Sequence, residues 1–270
     1  MKVILSRKGF DSSNGGCPSP ILPDGTLLSL PIPSQDRDAY EALSFRGLNY
    51  GTLLEQLRPG QAFSRCHLDP DLRPDLRISG TEGWRPAFGQ TDAAQGLLAN
   101  AGVERGDLFL FFGWFRQTEQ GPEGYRFVRR SEDFFRGADL HVIYGYLQIG
   151  EILTEPEEIA KYRWHPHASE GFLRNKANAL YLPAERLSWN PEKKGYGVLD
   201  FRADRVLTME NSPRGTWTPK PFLMPEHVYG NRKNSAKGEG LYYAGIWQEL
   251  VLEESEGLLP WARSMIDGPA

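Results

Sequence analysis

The chain has 270 residues, 40% of them hydrophobic and 24% charged, with a formal net charge of −4 at pH 7. That balance suits a folded protein with a sizeable core, and it argues against a broad, sequence-independent grip on nucleic acid, which needs a dominant positive field. Two cysteines, Cys17 and Cys66, make neither a disulfide framework nor a zinc site by themselves, and no run of about 18 apolar residues is present to span a membrane. Reduced thiols and a cytoplasmic location are expected. No signal peptide is expected either, because Ser6-Arg7-Lys8 follows the first apolar residues at once.

In chain order, Val3-Ile4-Leu5 reads as a short buried strand. It runs into a polar, glycine-rich stretch, residues 6–16, and then into Cys17-Pro18-Ser19-Pro20 and Pro23-Asp24-Gly25. Residues 39–57 have a helical pattern with a break at Gly47, and residues 90–101 fit a shorter helix closed by Gly102. Residues 107–112 form a buried strand ended by Gly113. Residues 140–152 form a long one, with Gly145 and Gly150 as bulge points. Residues 155–162 open with the acidic first turn of a helix. Strands are expected at 179–182, 197–201, 206–209 and 241–252, and a last helix at 258–266. The fold class predicted is α+β, a mixed or barrel-like β-sheet with a few short helices and long loops. A single domain, 1–270, is expected, with a division into residues 1–105 and a strand-rich 106–270 as the alternative.

The stretch after the first strand is the first candidate site. Arg7, Lys8, Ser12, Ser13 and Asn14 are all donors suited to an anion or a nucleobase edge, and Asp11 is the natural general base or metal-side carboxylate. The order is that of neither a P-loop nor a dinucleotide fingerprint. The structural alternative is a loop held by its own Asx and Ser turns.

His67 and Asp69 form the second candidate. On an extended segment positions i and i+2 point the same way, so one further ligand would complete a two-histidine-one-carboxylate face for iron(II) or a similar divalent ion. His141, His165 and His167 can supply it, and His165-Pro166-His167 is itself a pair that could share a face. The structural alternative has His67 capping a turn and His165 and His167 as solvated loop residues. Cys66 adjoins His67 in sequence, yet neighbours on a strand point opposite ways, so a buried small hydrophobe is the favoured reading for both cysteines. Trp114 and Arg116 stand two apart at a strand end, where they would line a pocket mouth and stack on a base. Four arginines, Arg126, Arg129, Arg130 and Arg136, make a basic-aromatic cluster diluted by Glu132 and Asp133. Lys193-Lys194, Arg232-Lys233 and Lys237 read as solvated basic spots.

The stretch from Ser6-Arg7-Lys8-Gly9-Phe10-Asp11 to Pro23-Asp24-Gly25, with His67-Leu68-Asp69-Pro70-Asp71-Leu72 and Gly106-Asp107 through Arg116, resembles the third family of nucleotide-modification-associated domains over nearly the whole chain. The resemblance implies a setting in base modification and brings no catalytic assignment with it. Gly106-Asp107 and the aromatic strand after it, with Val142-Ile143-Tyr144-Gly145-Tyr146, are locally similar to PUA-like barrels of the EVE and ASCH type, which implies modified-base or RNA binding. The expected function is therefore a nucleotide- or nucleobase-modifying protein, metal-dependent if the histidine site is real. The alternatives are a non-catalytic reader of a modified base and a metabolic enzyme acting on a small anion.

Overall fold

In the computed structural model, residues 1–230, 236–237, 240–245 and 247–268 are described. The chain builds one nine-stranded mixed sheet, curled into a half-barrel, with short helices packed around it. Its path runs Glu249–Leu252, Val3–Arg7, Leu108–Gly121, Leu140–Leu153, Ala179–Pro183, Phe88–Gln90. Val3–Arg7 runs parallel to Leu108–Gly121, and Leu140–Leu153 returns antiparallel to it. Strands from both sides of residue 105 enter this sheet, so its core is shared between them.

Alternation along the central strands explains why both sheet faces are covered. Val3, Leu5, Leu108, Leu110 and Phe112 pack into one buried cluster with Met265 and Ile266 of the helix Leu258–Asp267. Their neighbours Ile4, Phe109 and Phe111 pack into a second cluster with Phe88, Tyr181 and Leu98, the last from the helix Asp92–Asn100. A strand buried on both faces reads as an unbroken apolar run, and each such phenylalanine contributes roughly 1.5–3 kcal/mol. The register of Leu140–Leu153 shifts between Ile143 and Gly145 against one neighbour and between Ile149 and Glu151 against the other. Both bulges fall at the expected glycines.

Residues 39–57 do break at Gly47, but the part before it is a 3-10 turn, Tyr40–Ala42, and the start of a hairpin in place of a helix. Ser44–Phe45 and Leu48–Asn49 pair as a tight hairpin around Arg46 and Gly47, both with positive φ, and the helix is Tyr50–Leu57 alone. A two-residue turn of that hand suits the twist of paired strands, and Asn49 caps the helix by accepting from the Thr52 N–H. Residues 206–209 make isolated bridges to Val142 and Trp217 in place of a strand. Lys237 lies in the short strand Ala236–Lys237, and Arg232 and Lys233 lie outside the described residues. Among the described residues, no helix is long and apolar enough to cross a membrane.

Candidate functional site

The first strand ends at Arg7, and the chain leaves the sheet after Lys8, whose N–H still donates to Phe112 O at 2.9 Å. Phe10 is buried in a third apolar cluster with Tyr40, Leu53 and Leu54, which anchors the next residues. Asp11 then folds the tip back. It accepts from the N–H groups of Ser13 and Asn14 at 2.7 Å each and from Arg7 Nη1 at 2.5 Å. Burial alone would raise its carboxyl, but the Asn14 bond and the Arg7 charge hold it below the ordinary carboxylate range. Gly15, with φ at +88°, lies where a Cβ would meet the Phe10 ring at 2.1 Å, so the loop closes only on glycine. This loop is a partition with a cavity on each side. Arg7, Asp11 and Asn14 line both.

The smaller cavity, about 330 Å³, holds His67, Asp69 and His167. One ligand atom from each lies within 4.8 Å of the other two. His67 ends the strand Arg65–His67, which pairs with Ile32–Ala39, and that pairing brings Asp36 to it. His67 Nδ1 lies 2.7 Å from Asp36 Oδ2. His167 Nδ1 lies 2.6 Å from Asn178 Oδ1, while Asn178 Nδ2 donates back to His167 O at 3.0 Å. Carboxylate and amide oxygens only accept, so both Nδ1 atoms carry a proton, and in the neutral ring Nε2 is the atom with a lone pair. Burial pushes His167 down to about 3, with the neighbouring imidazoles acting the same way against Asp69. It is therefore neutral at ordinary pH. Its ring stacks on Phe172 at 4.3 Å and lies over Gly89, where an added Cβ would sit 2.2 Å from it.

Asp69 is buried and negative. Desolvation would raise its carboxyl, but the His165 imidazole and the Lys8 charge pull it well below the usual range. Its Oδ1 accepts from Gly89 N at 2.7 Å and lies 3.2 Å from His165 Nε2. His165 Nδ1 accepts from His167 N at 3.3 Å, which leaves its proton on Nε2, facing Asp69. Of the four residues that the sequence suggests for a metal, His67, Asp69 and His167 converge, and His165 lies beside the carboxylate, 3.2 Å away, with its Nε2 making no hydrogen bond among the described residues. Both His165 and His167 are buried, so neither is a solvated loop residue.

Lys8 lines the same cavity. Its Nζ sits 4.3 Å over the Phe88 ring and 3.4 Å from Glu249 Oε1. That oxygen also accepts from Ser6 Oγ and Gln90 Nε2. Burial pushes the Glu249 carboxyl up against these contacts.

The larger cavity, about 930 Å³, lies across the loop and is lined by Arg7, Ser12, Ser13, Trp114, His141 and Arg214, among others. The Arg214 guanidinium covers the Trp114 ring at 3.9 Å, and its Nη2 donates to Ser12 Oγ at 3.0 Å. His141 Nδ1 accepts from Trp217 Nε1 at 3.0 Å, so its proton is on Nε2. Arg116 sits behind the wall, donating to Gly137 O at 2.9 Å with its Nε 3.6 Å from Asp139. Cys17 and Cys66 are buried, and burial pushes both thiols up, Cys17 to about 11.

Asp36, Gly89, Asn178, Arg214 and Glu249 are the residues that sequence reasoning missed. No motif surrounds them, and each reaches the site through a pairing or a turn distant in sequence. No curated protein matches the chain, and no solved structure matches it. A family model does: that of nucleotide modification associated domain 3, over residues 2–253, nearly the whole chain. The chain belongs to the nucleotide modification associated domain 3 family.

Proposed function

We propose that the smaller cavity is the metal centre of an enzyme that acts on a nucleotide or nucleobase. One observation carries this reading: one ligand atom each of His67, Asp69 and His167 lies within 4.8 Å of the other two, and both imidazoles have Nδ1 held by an oxygen acceptor from elsewhere in the chain. Such outer partners fix the tautomer and orientation of metal-ligating imidazoles. Two imidazoles and a carboxylate suit iron(II) or a similar divalent ion, which supplies Lewis-acid or redox chemistry when bound. The remaining steps belong to the chain's own groups. Lys8 and Arg7 hold an anionic part of the substrate, Phe172 packs the imidazole in place, and the Gly89 N–H holds the Asp69 carboxylate. Asp11, with its oxygens taken by Arg7 and the loop, serves as the clamp of Ser13 and Asn14. The family supports a setting in nucleotide modification.

A second reading, a non-catalytic reader of a modified base, draws support from the Trp114–Arg214 stack in the larger cavity. The two readings part on His67, which a reader does not need. Elemental analysis of untagged protein purified without chelators is the test. The enzyme reading expects about one equivalent of iron, manganese or zinc in the native chain and none in His67→Ala. Absence of metal from the native chain, with no affinity on titration with each ion, refutes it.

A further inference from the structure

We infer that the larger cavity binds a nucleoside 5′-phosphate, its base stacked on the Arg214 guanidinium that lies over Trp114 and its phosphate held by Arg7 and His141. This deepens the proposed function by naming the substrate class, and it rests on that reading only for the chemistry that follows binding.

The cavity is unlike its neighbour in what it leaves unspent. His141 must present its Nε2–H, because Trp217 occupies Nδ1. Arg7 and Arg214 line the cavity together with His141, which gathers two guanidinium groups and an imidazole around it. Arg214 donates to a neutral hydroxyl, Ser12 Oγ, at 3.0 Å, and its guanidinium lies 3.9 Å over the Trp114 ring. A guanidinium backed by an indole is a flat, cationic platform of the kind on which bases stack. At about 930 Å³ the cavity falls within the range of small-ligand sites, and it borders the histidine chamber through Arg7, Asp11 and Asn14.

Equilibrium titration with the four deoxyribonucleoside 5′-monophosphates and their ribose counterparts, followed by tryptophan fluorescence and calorimetry, tests this. At least one should saturate at one per chain, and its nucleoside and inorganic phosphate should each bind at least about tenfold more weakly. Arg214→Ala should weaken binding about tenfold or more, and Arg214→Lys, which keeps charge and loses the plane, should recover little. The fluorescence change should vanish in Trp114→Phe. His167→Ala should bind the nucleotide as the native chain does, so failure of the metal centre and failure of this site read out separately. No mononucleotide binding tighter than about 1 mM, or affinity unmoved in both Arg214→Ala and Trp114→Ala with their folds intact, overturns the proposal. Binding of phosphate alone as tightly as of the nucleotide overturns it too.

Discussion

Two cavities share the Arg7–Asp11 wall and differ in what their side chains have left to give. In the smaller, each imidazole Nδ1–H is already donated, to Asp36 or to Asn178, and what remains is lone pairs and a carboxylate. In the larger, the lone pair of His141 is already taken by Trp217, and what remains is N–H. The same residue type is left with a free ring nitrogen suited to a cation in one place and with an N–H suited to an anion in the other. The neighbour that fixes the tautomer decides which. A histidine count in the sequence says nothing about that choice.

Removing a lone pair is the most direct way to break the contrast. His167→Ala should lower divalent-ion affinity by more than the roughly 10–100-fold of an outer-shell change, while nucleotide affinity stays put. Gly89→Ala should behave similarly in ion titration, since the new methyl falls on the His167 ring. Next come the outer partners: Asp36→Asn and Asn178→Leu should each cost about 10–100-fold in ion affinity, again without effect on nucleotide.

Phe10→Ala sharpens the comparison from the other side. It empties the buried anchor of the shared partition, so it should destabilise the fold by about 3–5 kcal/mol in denaturant titration and weaken both ligands together. Equal ion and nucleotide affinity in a folded Phe10→Ala chain would show that the loop is no common wall.

The smallest effect expected is the pH response of the thiols. Burial raises both Cys17 and Cys66 in the folded chain, so the folded state keeps protons that the unfolded state releases above about 8.5. Their contribution is neutral below that pH. As pH rises past it stability falls, by up to about 1.4 kcal/mol per pH unit for each thiol. Cys17→Ala should show a shallower fall between pH 8.5 and about 10.5 in denaturant titration, and an unchanged slope counts against a buried thiol at that position.

Much of the sheet was legible. The strands at 3–5, 107–112 and 140–152 announce themselves as apolar runs, and the two bulges as glycines inside one of them. In the 39–57 stretch the break at Gly47 was legible, but the short strands on either side of it were not, because apolar spacing over so few residues does not separate a hairpin from a helix. In the site, His67 and Asp69 were legible as a pair two apart. The choice among His141, His165 and His167 was not, because Trp217, Asn178 and the His167 N–H decide it, and two of those contacts cross tens of residues or a turn. Arg214 taking the place beside Trp114 that Arg116 has in sequence follows from the Thr208–Trp217 bridge, a pairing outside any named strand.

The central claim is that His67, Asp69 and His167 together hold one divalent ion. Anomalous diffraction from crystals grown with manganese tests it directly. A single strong peak between His67 Nε2, the Asp69 carboxylate and His167 Nε2, absent from His167→Ala crystals, is the predicted result. Well-ordered side chains at all three positions with no peak between them would contradict it.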